Sequence, residues 1–416
     1  MPALGSHKVV VTGAGCVSCL GIGQHALRSA LQRQTSGLGK ITMSPAVTTK
    51  TTAGGQINRE SLRAALHDAR IRYDDIALDT ATLASEEALQ QADVLAHHGK
   101  PREIPVLVGA GASNVERFFQ ANETFFSKGA RWVRPTTVPR CMNNAISAQL
   151  AMRFGLEGAN FVISAACASS TAVLGYAYRM IHCGYWQQAL CVGADTIFSP
   201  FTLAAWDNLG VMSRCADPQK ACRPFDRDRD GCVIGEGAAV IYLESEDAAR
   251  IRGVSPRAEI CGFGESSDAS HITTPNEKGQ TKAMQAALED AGIKVDHLGW
   301  IHAHGTGTVA NDAVEALSMK SILGQAASTV PVSSLKPYYG HMIGGSGTMD
   351  LLATILSLEE GIIPASMNLD TPDEAAQGLK FAPATRTTLQ RPYVMKNSFG
   401  FGGSNAVLIV KAAATD

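Results

Sequence analysis

Short apolar runs recur along the whole chain. Each leads through small residues or glycine into a segment with helical spacing of apolar positions, and this alternation constrains the fold more than any single motif. Residues 9–11, 104–109, 161–163, 189–195 and 238–243 read as buried strands. Residues 258–263, 330–333 and the start of 300–308 repeat the pattern. Residues 76–96, with Leu78, Ala81, Leu83, Ala84 and Leu89 at helical spacing, read as a helix, as do 171–181, 245–252, 281–291 and 342–358. Short strands alternating with buried helices define an α/β protein whose sheets are covered on both faces. The stretch Arg252-Gly253-Val254-Ser255-Pro256 has junction character, which divides the chain into halves 1–252 and 253–416.

With 416 residues, 45% of them hydrophobic, there is ample material for a large core in one big or two fused domains. A formal net charge of -2 gives no reason to expect nucleic acid or a membrane surface as partner. No apolar run approaches the roughly 20 residues of a membrane span. The opening MPALGSHKVVV lacks the layout of a signal peptide, so the expected location is the cytoplasm. Ten cysteines give no disulfide density, and several, such as Cys191 and Cys261, sit in apolar segments as reduced core residues do. Cys16 and Cys19 have no second Cys or His pair at zinc-ribbon spacing, so no metal is expected there. Gly13 and Gly15 suggest a dinucleotide fingerprint, but Ser18 occupies the third glycine position and the first acidic residue is Glu60. These glycines read as a tight strand–helix turn.

Candidate chemistry starts at Ser164-Ala165-Ala166-Cys167-Ala168-Ser169-Ser170. Cys167 stands between a buried strand and a nearly chargeless helix, where free N–H groups and the helix dipole favour thiolate. His304 precedes Gly305 and His341 follows Gly340, both near ends of buried strands, with Lys336 five residues before His341. Glycines there let a substrate chain lie close to backbone N–H groups able to stabilise an oxyanion. A thiol nucleophile facing two imidazoles suits acyl transfer through a thioester, followed by an enolate held by the imidazoles. Neither G-x-S-x-G nor the phosphate-binding G-x-x-x-x-G-K-[ST] occurs.

These motifs, in this order, resemble those of the β-ketoacyl-acyl-carrier-protein synthases, elongating condensing enzymes of the thiolase superfamily. The resemblance runs from Val9 to Val410. It covers residues 164–170, His304-Gly305-Thr306-Gly307-Thr308 with Asn311-Asp312, Lys336 with Gly340-His341, the charged turn 223–231 with Gly235-Glu236-Gly237, and residues 397–405. It implies a thiolase-like five-layered αβαβα sandwich built from two duplicated halves. It implies decarboxylative Claisen condensation of an acyl-enzyme with malonyl-acyl carrier protein to a 3-ketoacyl product, in fatty acid or polyketide-like chain elongation. Cys167 would carry the acyl group, and His304 and His341 would hold the malonyl thioester oxygen. Lys336 would hold His341 by hydrogen bonds and charge. The N–H groups of Cys167 and Phe401 would form the oxyanion hole, with Phe401 and Phe399 at the gate. Thr306 and Thr308 would touch the phosphopantetheine arm of the carrier, and no other cofactor would be needed. A homodimer is implied.

Departures from the family pattern are His302, Asp350 in place of Glu, Ser404 in place of Thr, and the small Ala112 at the floor of the acyl pocket. His302 and His304 share a face in an extended strand, which raises a metal pair as an alternative. Ala112 leads to the expectation of a deeper pocket. Lys128, Arg131 and Arg134 are expected at the docking rim for an acidic carrier. The charged turn 223–231 reads as a salt-bridged structural loop. The competing reading of the whole chain is a non-catalytic, chain-length-determining partner of another ketosynthase; retention of Cys167, His304, Lys336 and His341 argues against it, and against a thiolase acting on coenzyme A esters.

Overall fold

The strand Val9–Ser18 (β1) stays extended through Gly13 and Gly15 rather than turning there. These glycines serve close packing instead. A Cβ on Gly13 would lie 2.1 Å from the Ala88 carbonyl oxygen, and one on Gly15 2.1 Å from that of Ala84. Both carbonyls belong to Ile76–Gln91 (α1), which lies directly on β1. Helix backbone meets strand backbone at a distance only glycine permits. This computed structural model describes residues 6–43, 48–72, 75–95, 102–112, 114–385 and 387–413, so the end of the expected helix 76–96 lies outside the described residues.

The first half adds Val106–Gly109 (β2), Asn160–Ile163 (β3), Gln188–Asp195 (β4) and Gly237–Ser245 (β5), in the spatial order β1-β5-β4-β2-β3. β1, β5 and β4 are antiparallel neighbours, and β4, β2 and β3 run parallel. The second half contains Ala258–Ser267 (β6), Leu298–His302 (β7), Pro331–Ser333 (β8), Tyr393–Gly400 (β9) and Ser404–Ala412 (β10). Its order, β6-β10-β9-β7-β8, repeats the first with the same succession of antiparallel and parallel pairs; the short strand Lys380–Phe381 extends it beyond β8. The halves share one seam, where Val9, Val10 and Val11 of β1 pair with Ile260, Glu259 and Ala258 of β6. The architecture is therefore duplicated, as the resemblance implies.

Four more helices position the site: Ser169–His182 (α2), Glu277–Asp290 (α3), Val309–Leu323 (α4) and Ser346–Glu360 (α5). α2 follows β3 and α5 follows β8, so they occupy equivalent places. They pack on each other and on strands of both halves, forming the middle layer. α1 covers the outer face of the first half; α3, with α4 against it, covers that of the second. The result is five layers, αβαβα. Every residue of α5 from Ser346 to Leu358 is buried, and full burial of each Leu or Ile there contributes about 1.5–3 kcal/mol. Among the described residues no helix is long and apolar enough to cross a membrane.

The ends of parallel strands in α/β folds are where ligand crevices form. Here the residues just beyond the C-terminal ends of β3, β7, β8 and β9 line a single cleft between the halves.

Candidate active site

Cys167 sits two residues before the first residue of α2. The turn holding it is strained: Ala166 has φ +48°, a left-handed conformation rare for a residue with a side chain. Ser169 locks that turn, its Oγ accepting from Ala165 N–H at 2.9 Å and donating to Ala166 C=O at 2.6 Å. From the other side Gly400 closes in. A Cβ there would lie 2.8 Å from the Ala165 oxygen and 3.1 Å from Cys167 N. The Cys167 sulfur faces the N–H groups of Phe401 and of Cys167 itself, the two donors expected of the oxyanion hole.

His341 Nε2 lies 3.0 Å from Cys167 Sγ, and its Nδ1 lies 2.9 Å from Ser346 Oγ. His304 faces His341 edge-on, ring centres 5.2 Å apart, with Phe399 on its flank at 6.1 Å. His304 Nδ1 is buried without a hydrogen-bond partner among the described residues. Burial first, then the Lys336 ammonium, pushes His341 down to about 3 and His304 well below the ordinary imidazole value. Both rings are therefore neutral at physiological pH. Burial also pushes the Cys167 thiol up to about 12, against the lowering effect of Lys336 and the backbone N–H groups. This differs from the thiolate expected at a helix N-terminus: in a closed apolar site desolvation outweighs the helix field, and the resting group is a thiol with a neutral base beside it.

Lys336 is fully buried, and its Nζ lies 3.4 Å from Asp350 Oδ2. The hydrogen bond at His341 Nδ1 goes to Ser346, so Lys336 acts on the imidazole through charge, with its own ion pair made to Asp350. Asp350 Oδ1 accepts from Tyr339 OH at 2.7 Å. A second buried ammonium, Lys396 Nζ, lies 3.8 Å from the same Asp350 Oδ2. Burial alone would raise the Asp350 carboxyl, but the two ammoniums hold it well below the carboxylate range. The shorter Asp thus still occupies an ion-paired carboxylate site. His302 takes no part in the cleft: its Nδ1 pairs with Thr354 Oγ1 at 2.8 Å, and its ring stacks on Trp300.

The turn after β7 is built by carboxylates. Glu315 accepts from His304 N–H at 2.7 Å and Gly305 N–H at 2.8 Å. Asp312 accepts from the N–H groups of Thr306, Gly307 and Phe225. Thr306 and Thr308 hydroxyls meet at 2.8 Å on the cleft wall. The charged turn 223–231 reinforces this loop. Arg229 donates to the Thr308 and Val309 carbonyls and pairs with Asp373 at 2.9 Å, the structural role expected of it.

Phe401 stacks on Trp206, centroids 6.1 Å apart, across the mouth. Behind Cys167 lies an apolar cluster with Ile197, Met212, Ile343 and the partly buried Ala112 and Phe198. Asp195 fixes its floor, accepting from Gly111, Ala112 and Gly344 N–H at 2.8–2.9 Å. Lys128, Arg131 and Arg134 are exposed, and none of them lines the cleft. Phe119, on the helix that ends at Lys128, stacks on Phe201 of the helix Pro200–Leu209, which also carries Trp206. Sequence reasoning missed Lys396, Glu315, Ser346 and Asp195. A lysine inside an apolar strand just before Asn397 was the available signal for the first. The ligand atoms of Cys167, His304 and His341 lie within 4.8 Å of one another. That set could chelate a thiophilic ion such as Zn²⁺. His302 is outside it, so the His302–His304 metal alternative has no geometric support among the described residues.

Two family models match: beta-ketoacyl synthase, N-terminal domain, over residues 6–249, and beta-ketoacyl synthase, C-terminal domain, over 257–370. The chain is 34% identical over 413 residues to a 3-oxoacyl-[acyl-carrier-protein] synthase 2 of Vibrio cholerae, covering 98% of this chain and 100% of that protein. Two similar solved structures are a type II polyketide synthase acyl-carrier protein in complex with its ketosynthase bound to the hexaketide (TM-score 0.90, 25% identity, 98% and 100% coverage) and the ishigamide ketosynthase/chain length factor (TM-score 0.87, 27% identity, 98% and 100% coverage).

Alkylation of Cys167 by iodoacetamide, read by peptide mapping from pH 6 to 10, is expected to accelerate about tenfold per pH unit without a plateau, because the buried thiol titrates near 12. A plateau below pH 8 would mean a resting thiolate–imidazolium pair instead.

Proposed function

The chain belongs to the β-ketoacyl synthase family, and we propose that it condenses a Cys167-bound acyl group with malonyl-acyl carrier protein by the steps the following residues would perform. The carrying observation is the 3.0 Å contact between His341 Nε2 and Cys167 Sγ. As an acyl carrier enters, the thiol proton passes to neutral His341 while sulfur attacks the thioester carbon. The oxyanion that forms is held by the N–H groups of Cys167 and Phe401. Collapse expels the carrier thiolate, which takes the proton. The Ser346 hydroxyl, able to donate to or accept from Nδ1, accommodates both imidazole tautomers.

Malonyl carrier then occupies the same cleft, its pantetheine arm along Thr306 and Thr308. The bond to the terminal carboxylate breaks and carbon dioxide leaves. The electron pair moves onto the thioester as an enolate, its oxygen accepting hydrogen bonds from His304 and His341. The enolate carbon attacks the acyl-Cys167 carbonyl, the sulfur departs as a thiolate, and it takes up one proton from solvent, the proton the decarboxylative condensation consumes overall. The 3-ketoacyl group ends on the carrier, and the only prosthetic group used is the carrier's own phosphopantetheine. Lys336 supports the enolate by its charge. In this scheme Phe401 is the gate, stacked on Trp206, and Phe399 positions His304. The division at 252/253 separates the half with the nucleophile from the half with both imidazoles, and the cytoplasm is the site of action.

Incubated with a chain-length series of acyl carrier proteins, wild type should gain acyl mass and Cys167→Ala none; adding malonyl carrier should then release the 3-ketoacyl product from wild type. The small Ala112 beside the apolar cluster supports a deep acyl pocket, so Ala112→Ile should shorten the longest chain loaded. Acylation of the Cys167→Ala protein would refute the assigned nucleophile, and unchanged chain selectivity in Ala112→Ile the assigned pocket.

Carrier docking is proposed at Lys128, Arg131 and Arg134, which present positive charge on an exposed face. Arg131→Glu should raise KM for carrier-bound substrate several-fold with kcat little changed; an unaltered KM would remove this surface from the reading.

A dimer is favoured by two features. Among the described residues β3 ends the sheet with one edge unpaired, and Phe118, Phe125, Phe126, Trp132 and Val138 are exposed on segment 115–138. The structural relative solved with a chain length factor makes a mixed pair the alternative. Sedimentation of the purified chain alone should give twice its 43.8 kDa; a monomer would favour the mixed pair.

A further inference from the structure

Lys396 is a buried charge that the reaction scheme above leaves unused. It lies on β9, five residues before the gate Phe401, and has no exposed surface. Its Nζ donates to Thr171 Oγ1 at 2.7 Å and to Ser398 Oγ at 2.6 Å, and lies 3.8 Å from Asp350 Oδ2. Thr171 is in the first turn of α2, the helix that follows Cys167. Ser398 leads into the gate, and Asp350 belongs to the middle-layer helix that follows His341. One ammonium thus joins the three elements carrying nucleophile, gate and base. The hydroxyls of Thr171 and Ser398 also meet each other at 2.9 Å.

The charge count is unusual. Lys336 and Lys396 both pair with the carboxylate of Asp350; Glu315, the other carboxylate facing Lys396, is raised by burial to about 7 and carries only part of its charge at neutral pH, so positive charge stays in excess in this buried region. The groups facing Lys396 from the surrounding elements are Asp350, Lys336 and Glu315, with His302, His304 and His341 within reach of its field. A buried ion pair of one lysine and one aspartate would satisfy the desolvation argument alone; a second ammonium costs more and calls for a use. An excess positive charge beside two neutral imidazoles lowers the energy of an anion that those imidazoles hold.

We propose that Lys396 is a positioning residue for the condensation: its ammonium supplies the excess positive charge that stabilises the enolate held by His304 and His341, and it ties the nucleophile helix to the gate strand. This rests on the condensation proposed above. Burial, offset in part by Asp350, brings the Lys396 ammonium down to about 8. The charge is present below that pH and is lost above it.

The test is carbon dioxide release from malonyl carrier protein between pH 6 and 9.5, by wild type, Lys396→Met and Lys396→Ala, the last with and without ethylammonium. Wild type should decarboxylate, and its rate should fall above about pH 8. Lys396→Met should be slower by about tenfold or more at pH 7, the equivalent of one pKa unit of electrostatic stabilisation, and should lack the fall above pH 8. Ethylammonium, but not ethanol, should restore Lys396→Ala. A purely structural lysine would give neither the pH changes nor cation-selective rescue.

A Lys396→Met enzyme within twofold of wild type, with the same pH profile, overturns the proposal. Should neither variant fold, a wild-type rate that stays flat to pH 9.5 overturns it, and the fall above pH 8 supports it. A wild type that releases no carbon dioxide from malonyl carrier refutes the condensation itself, a result separate from any property of Lys396.

Discussion

Asp350 is the fixed point of the site. One carboxylate, buried on α5, holds two ammoniums and a tyrosine hydroxyl that come from two other segments, 336–341 and β9. Removing one member of a buried pair commonly costs 3–5 kcal/mol, because the remaining charge is left without compensation. Here removal of Asp350 would strand two charges at once. The segment 336–341 is therefore pinned at its beginning by Lys336 and in its middle by Tyr339, and His341 is delivered to the sulfur with little freedom. Burial is the main reason both imidazoles are neutral, and the positive charge of Lys336 and Lys396 adds to it.

Burial governs the rest of the chemistry. A helix N-terminus in water would favour a thiolate, yet the Cys167 sulfur is enclosed by apolar neighbours and the balance reverses. The site is poised with proton in place and acceptor in contact. The proposed oxyanion donors are backbone groups held by the Ala166 turn and by the close approach of Gly400, so they need not reorganise when charge appears. Strain at Ala166 is sustained because Ser169 and the packed start of α2 fix the turn on both sides.

Much of this was legible in the sequence. Apolar runs with glycine at their ends marked nearly every strand of both half-sheets, and the corner residues Cys167, His304 and His341 stood out by type and position. What local pattern could not supply was partnership across the halves. Lys396 reads as one charge in a strand, and only the meeting of β9, α2 and α5 reveals its three partners. Glu315 and Asp312 look like ordinary helix carboxylates until α4 turns them toward the backbone of the preceding loop. Gly13 and Gly15 gave the wrong local picture for a related reason: a glycine needed because another element presses against it has the same sequence signature as one needed for a turn.

The duplicated topology has a consequence for the order in which a ribosome delivers the parts. Cys167 emerges with the first half, while His304, Lys336 and His341 all lie beyond residue 300, and the thiol and its base are separated by 174 positions. Most of the cleft's lining, the second proposed oxyanion donor and all the compensating charge also belong to the later half. A nascent chain that has folded only its first half displays the cysteine without the imidazoles and the ammonium proposed to act with it, so on that reading the complete site exists only once synthesis is nearly finished.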